Sequence, residues 1–360
     1  MGFAMKVSSW LTATTDAMSQ SRRLRRYLGR PYLLVNTWIW RHLPVSLTSS
    51  CLGGVYGTHL HRLIQLRSAR MQHMGTFFFR NRPELELLIR LLNIKAEASA
   101  LDLTILGCSK GAEVYSFAYT IRSARPDLKV RLRALDIDPD VLKVAEEGLY
   151  SLKSRAPGQT FSSGSVIPGE DLATKTFGDQ TSSVFERMSP EEIEAMFECK
   201  DEQATVKPPF RDGITWHLGD AGDTKLVNLF GLQDIVVANR FLCHMQPQQA
   251  ETCLRNLANL VKPGGYLFVS GIDLEVRTKI ARELGWVPVT ELIKEIHEGD
   301  PSLRQDWPLE YWGLGPFDRC RNDWDIRYAS VFQVGVALSA NAHPKIAGER
   351  SEEMFVHGDH

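Results

Sequence analysis

The sequence predicts an α/β protein with a mostly parallel sheet, an N-terminal helical domain and a small inserted subdomain. Three observations carry that expectation. From about residue 84, apolar runs of strand length alternate with amphipathic helical stretches. The first run ends in a glycine turn that opens a helix. Residues 151–188 then break the alternation with a stretch rich in Gly, Ser, Thr and Pro.

The elements follow in order. Residues 17–72 read as mainly helical, broken by Pro31, Pro44 and the Gly53-Gly54 pair. ELELLIRLL is a helix, and LDLTIL (101–106) a buried strand ending in Gly107. A helix covers Ala112 to Ser123, a strand VRLRALDID (130–138), and a further helix Pro139 to Tyr150. After the excursion, SPEEIEAMFE starts on Ser189 as N-cap with Glu192 completing a capping box. ITWHLGD (214–220) and DIVVAN (234–239) are strands, and QQAETCLRNLANLV is an amphipathic helix. Pro263-Gly264-Gly265 makes a tight turn into the strand YLFVSG. Residues 275–325 add helices and an aromatic stretch with Trp307, Tyr311, Trp312, Phe317 and Trp324. RYASVFQVGV (327–336) is the last strand, and the tail from Ser339 reads as disordered. The organisation is thus a helical region over 1–83, a main domain over 84–338 with an insertion at 151–213 and an addition at 275–325, and a tail over 339–360.

Composition narrows the function classes. The 360 residues are 43% hydrophobic and 24% charged, enough to bury a core without disulfides. The six cysteines form no C-x-x-C pair and no zinc spacing, so no metal is expected and the thiols read as reduced in a cytoplasmic protein. Residues 1–80 hold Lys6 and ten arginines against the single acid Asp16. That surplus suits an acidic protein partner, a membrane face or a nucleic acid, or is simply a solvated helical face. No aromatic-and-basic repeat accompanies it, so nucleic acid is not the expected partner. The apolar stretch 32–56 is interrupted by Arg41, His42 and Pro44 and does not read as transmembrane.

The chemistry is expected where strands end. In ILGCSKGAEVYS, Gly107 and Gly111 let backbone approach a ligand, with helix amides behind them. Asp136, at the tip of the second strand, can accept from two ribose hydroxyls, whereas Asp138 reads as a helix N-cap. A tight G-x-G-x-x-G is absent, which favours a nucleoside without phosphates. Asp220 stands where it could meet an adenine amino group, or merely close an Asx-turn. Asn239 and Arg240 end the fourth strand.

Six spaced segments resemble one family. GTFFFRNRPELELL, GCSKGAEVYSFA, ALDIDPDVLKVAEEGLY, MSPEEIEAMFE, DIVVANRFLCHM and VKPGGYLFVSG follow, in order, the motifs of CheR-type chemotaxis-receptor methyltransferases over roughly residues 75–272. The resemblance implies a Rossmann-like methyltransferase fold that binds S-adenosyl-L-methionine and releases S-adenosyl-L-homocysteine. It places Thr76 and Arg80 toward the methionine end and the reacting centre. It also places Gly107, Cys108, Gly111 and Glu113 in the glycine loop, Asp136 and Ile137 at the ribose, Asp220 and Ala221 at adenine, and Asn239 and Arg240 at the fourth-strand tip. Five positions depart from the family pattern: Met74 for Asn, Ala112 for Glu, Asn239-Arg240 for Arg-Asn, and His244 for Tyr.

These departures leave the acceptor open. A carboxylate needs no base, only a positive clamp such as Arg80. A hydroxyl or amine would use a base, and His244 is the candidate unless it is simply packed. The expected substrate is a small-molecule or peptide-like carboxylate. The alternatives are glutamates on chemoreceptor helices, a hydroxyl or amine, or no turnover at all in a cofactor-binding interaction module.

Overall fold

The computed structural model describes residues 29–70, 72, 74–152 and 183–335. The start of the basic region, His73, most of the 151–188 excursion and the tail lie outside the described residues.

The described residues open with two helices, α1 (Gly29–His42) and α2 (Cys51–Arg67), with a single turn, Val45–Thr48, between them. Neither Pro31 nor the Gly53-Gly54 pair breaks them. Pro31 sits in the first turn of α1, where its missing N–H costs nothing. Gly53 sits in the first turn of α2, capped by Ser50 Oγ, and a Cβ there would stand 2.1 Å from the Leu47 carbonyl oxygen. Close approach to the Leu47-Thr48 backbone, not helix termination, is what Gly53 serves, while a Cβ on Gly54 would meet nothing within 4 Å.

The alternating core follows: α3 (Arg82–Leu92), β1 (Ala100–Leu106), α4 (Ala112–Ala124), β2 (Lys129–Asp136) and α5 (Pro139–Glu147). Helix α5 ends earlier than its apolar pattern suggests. Gly148 takes φ +63° and stops it, so Leu149 and Tyr150 enter a strand instead. That strand, β3 (Leu149–Ser151), pairs with β5 (Gln203–Val206), which pairs with β4 (Phe197–Lys200). Helix α6 (Pro190–Met196) leads directly into β4, with the Ser189/Glu192 capping box formed.

The main sheet continues with β6 (Ile214–Leu218), β7 (Gln233–Val237), α7 (Pro247–Ala258) and β8 (Val261–Phe268). Pro263-Gly264-Gly265 lies within β8 rather than before it. The register slips there, with Gln233 opposite Val261 but Ile235 opposite Tyr266, and Gly264 at φ +80° absorbs the extra residues as a bulge. Then come α8 (Leu274–Glu283), β9 (Val287–Pro288), α9 (Ile293–Glu298), α10 (Pro301–Asp306), α11 (Trp324–Tyr328) and β10 (Val331–Gln333). The last strand is therefore shorter than RYASVFQVGV, whose first residues complete α11.

Strand order is β6-β2-β1-β7-β8-β10-β9. The first five run parallel, and β10 is antiparallel to both β8 and β9. Ile235 and Val237 face one apolar layer, Val236 and Ala238 the other, which is why this strand reads as an unbroken hydrophobic run. Helix α2 packs Leu60, Leu63 and Ile64 against Tyr311, so the aromatic addition is in part a packing layer under the N-terminal helices. Among the described residues no helix is long and apolar enough to cross a membrane.

Candidate cofactor and acceptor cavity

A cavity of about 320 Å³ opens at the carboxyl ends of the parallel strands, where the order reverses between β1 and β7. Every residue singled out above as a site candidate lines it except Gly111.

The β1 turn forms one wall. Gly107 holds φ +66°, and a Cβ there would stand 2.7 Å from the Phe241 ring. Gly111 also has positive φ, but it faces α5 and not the cavity: a Cβ would meet that of Ala145 at 2.9 Å. Its work is the tight turn into α4. The Cys108 thiol is buried and beside Asp136, which raises its pKa well above the usual range and leaves it inert.

Asp136 is 4% exposed. Its Oδ2 accepts from the Ser109 amide at 2.6 Å and its Oδ1 from the Asp138 amide at 3.0 Å. Each oxygen therefore holds one N–H and keeps one further acceptor position. Asp138 caps α5, accepting from the Asp140 amide at 2.8 Å. Ile137 is 54% exposed yet lines the cavity. Across from it, Asp220 closes the Asx-turn, accepting from the Gly222 amide at 2.7 Å, with Ala221 buried beneath.

The Thr76–Arg80 segment forms the opposite wall. Phe78 anchors it, fully buried, stacked on Phe185 and edge-on to Tyr150 and Phe197. Phe79 takes φ +50°, rare for an aromatic residue, and its amide donates to Ser116 Oγ at 2.9 Å. These contacts fix Arg80, whose guanidinium donates to the Gly75 carbonyl at 2.8 Å and lies 5.0 Å from the Phe77 ring centre.

Past β7, Asn239 is wholly engaged. Its Nδ2 donates to Glu113 at 2.9 Å and to Glu84 at 3.2 Å, and its Oδ1 accepts from the Ser270 amide and hydroxyl at 2.9 and 2.8 Å. Glu84 and Glu113 are thus two carboxyls joined by one amide. Burial and the neighbouring Glu113 push Glu84 up to about 8, and burial raises Glu113 as well.

Arg240 has φ +67° and pairs with Asp300, itself 2% exposed. A Cβ on Gly271 would stand 2.7 Å from the Arg240 Cα, so glycine makes the room. Asp300 also takes Arg187 at 2.8 Å and Arg80 at 3.7 Å. Three guanidiniums thus converge on one carboxylate. Burial and mutual repulsion hold Arg80 down to about 10 and Arg240 to about 9. His244 shares a 2.7 Å hydrogen bond through Nδ1 with the Tyr311 hydroxyl and meets that ring edge-on. Arg70 steadies this loop by donating to the Cys243 and Met245 carbonyls and to both oxygens of Asp273. His217 packs on Phe230 away from the cavity.

Sequence reasoning missed Glu84, Arg70, Arg187, Asp273 and Asp300. Glu84 sits in the first turn of a helix, a position where an acid is common without any site. Asp300 carries only a helix-cap signal before Pro301, and nothing in the chain hints that residues 80, 187, 240 and 300 meet.

The sheet order is that of an α/β fold whose glycine turn and β2-tip acid meet at the cavity where the strand order reverses. Residues 75–157 match the family model described as CheR methyltransferase, SAM binding domain. Over those residues the chain is similar to a CheR SAM-binding domain, and the cofactor this match supports is S-adenosyl-L-methionine. An uncharacterised 104.1 kDa protein of Rhodobacter capsulatus is 26% identical over 194 residues, 51% of this chain but only 16% of that protein's length. The solved magnesium protoporphyrin IX methyltransferase of Synechocystis PCC 6803 is 13% identical over 62% of this chain and 80% of its own, with a TM-score of 0.31. The structure of PKMT2 from Rickettsia typhi is 13% identical over 60% of this chain and 30% of its own, with a TM-score of 0.30. Both overlaps are too loose to bear on mechanism.

Proposed function

We propose that this protein is an S-adenosylmethionine-dependent methyltransferase that O-methylates a carboxylate on a small-molecule or peptide-like substrate. The lining side chains fit that cofactor by their chemistry. Asp136 has one spare acceptor position on each oxygen, for two ribose hydroxyls. Leu135, Ile137, Ala221, Phe241 and Met245 give an apolar stretch for the nucleoside. Glu113 offers an anion for an ammonium and the guanidiniums a partner for a carboxylate. The cofactor supplies an electrophilic methyl on a sulfonium.

The observation that carries the carboxylate reading is the excess of positive charge. Arg80, Arg187 and Arg240 share one acid, Asp300, and two of them line the cavity. A bound carboxylate offsets the burial and mutual repulsion that now depress Arg80 and Arg240. Arg80 orients the acceptor through two hydrogen bonds. No proton must be removed from an ionised carboxylate.

A hydroxyl or amine acceptor is the second reading. It rests on the His244–Tyr311 hydrogen bond, which orients an imidazole in the cavity as a base requires. The deciding experiment incubates the protein with methyl-labelled cofactor and a panel of carboxylic acids and acidic peptides. The carboxylate reading expects a methyl product lost in mild alkali. An alkali-stable product that disappears in His244→Phe would replace it with the second reading.

A further inference from the structure

Glu84 belongs to no part of the function argued so far. It stands at the third position of α3, 4% exposed, and lines the inner end of the cavity. Its partner is not a base but the Asn239 amide, which it shares with Glu113. Two carboxyls on different helices are thus tied to one nitrogen. We propose that Glu84 and Glu113 together receive the α-ammonium of S-adenosylmethionine, and that Glu84 gives up a proton when that ammonium docks. This rests on the cofactor reading and goes beyond it by naming a residue and a linked proton.

Consider what faces Glu84. Helix α4 contributes Glu113, the β7 tip contributes Asn239 and Arg240, and α8 contributes Arg277. Arg277 is 2% exposed and spends its terminal nitrogens on the Val269 and Arg327 carbonyls. Asn239 can donate only two hydrogens, and its oxygen is already held by Ser270. A second buried anion beside Glu113 therefore lacks enough donors, and Glu84 keeps its proton near neutral pH, titrating at about 8. An incoming ammonium supplies both the charge and the missing donors. An opposite charge within a few ångströms lowers a carboxyl by about 1–3 units, enough to carry Glu84 through neutrality. The O–H bond breaks, the carboxylate keeps the electron pair, and the proton passes to the buffer.

The test is calorimetry of S-adenosylhomocysteine binding to the full chain at pH 7, in two buffers of different ionisation enthalpy. The buffer difference counts protons. We expect release of most of one proton, and affinity that rises up to about tenfold per pH unit between pH 6 and 8. 5′-Methylthioadenosine, which keeps the nucleoside and thioether but has no ammonium, should bind without release. Glu84→Gln should still bind S-adenosylhomocysteine and release nothing. Binding by the wild type with no proton exchanged would overturn the inference, as would full release retained in Glu84→Gln. Equal release with 5′-methylthioadenosine would also overturn it, and this comparison needs no variant. Failure of S-adenosylhomocysteine to bind at all would instead remove the cofactor reading beneath it.

Discussion

Asp136→Ala isolates the contact on which cofactor recognition depends. The wild-type carboxylate is buried, and each of its oxygens carries one backbone N–H, from Ser109 and Asp138. Ionised carboxylates have about four acceptor positions, so two remain, one per oxygen. Two ribose hydroxyls would fill them with charge-assisted bonds. Losing such a charged partner costs about 1.5–3 kcal/mol, or roughly 10- to 150-fold in Kd. The same change also frees the Ser109 and Asp138 amides, which could loosen both loops. Asp138→Ala controls for that: it removes only the α5 cap, costing about 0.5–2 kcal/mol of stability, and should leave Kd within a few-fold of wild type. Calorimetry with S-adenosylhomocysteine measures both. Near wild-type affinity in Asp136→Ala, or equal losses in the two variants, would refute the ribose role.

Three further outcomes follow from the site. Arg80→Lys should depress turnover strongly while His244→Phe costs less than about tenfold, because a point charge cannot reproduce a two-bond clamp; steady-state rates on both variants check this, and a loss of about 10²–10⁴ in His244→Phe would point to base catalysis instead. Arg70→Ala should destabilise the fold by about 3–5 kcal/mol in denaturant unfolding, since it leaves Asp273 buried without its partner. Glu84 should make stability fall with rising pH. Its folded pKa of about 8 lies above the unfolded value near ~4.3, so the folded state binds more protons between them. That contribution is complete below about 4.3 and is lost as pH rises through about 8. The melting temperature of the wild type should therefore drop from pH 5 to pH 8 relative to Glu84→Gln.

The parallel core was legible because its signals are local. DIVVAN is apolar on both faces, and the Gly107 turn and the Ser189 capping box announce themselves within a few residues. What escaped was set by tertiary contact. Gly264 reads as a turn residue, but the neighbouring strand holds it in a bulge inside β8. Leu149 and Tyr150 continue a helical pattern until Gly148 and the partner strand β5 decide otherwise. The line-up of Asp136, Asp220 and Asn239 around one cavity followed from placing them at strand ends, and that of Thr76 from the family resemblance. The charge cluster around Asp300 did not: Arg80 and Arg240 were singled out for other roles, and nothing near Arg187 or Asp300 in the sequence says that these four residues meet.

The most direct measurement is a crystal structure of the protein with S-adenosylhomocysteine. We expect the ribose hydroxyls on Asp136, the ammonium between Glu84 and Glu113, and open space beyond the sulfur bordered by Arg80 and Arg240. A ligand bound away from Asp136, or a sulfur turned away from the arginine cluster, would contradict the account.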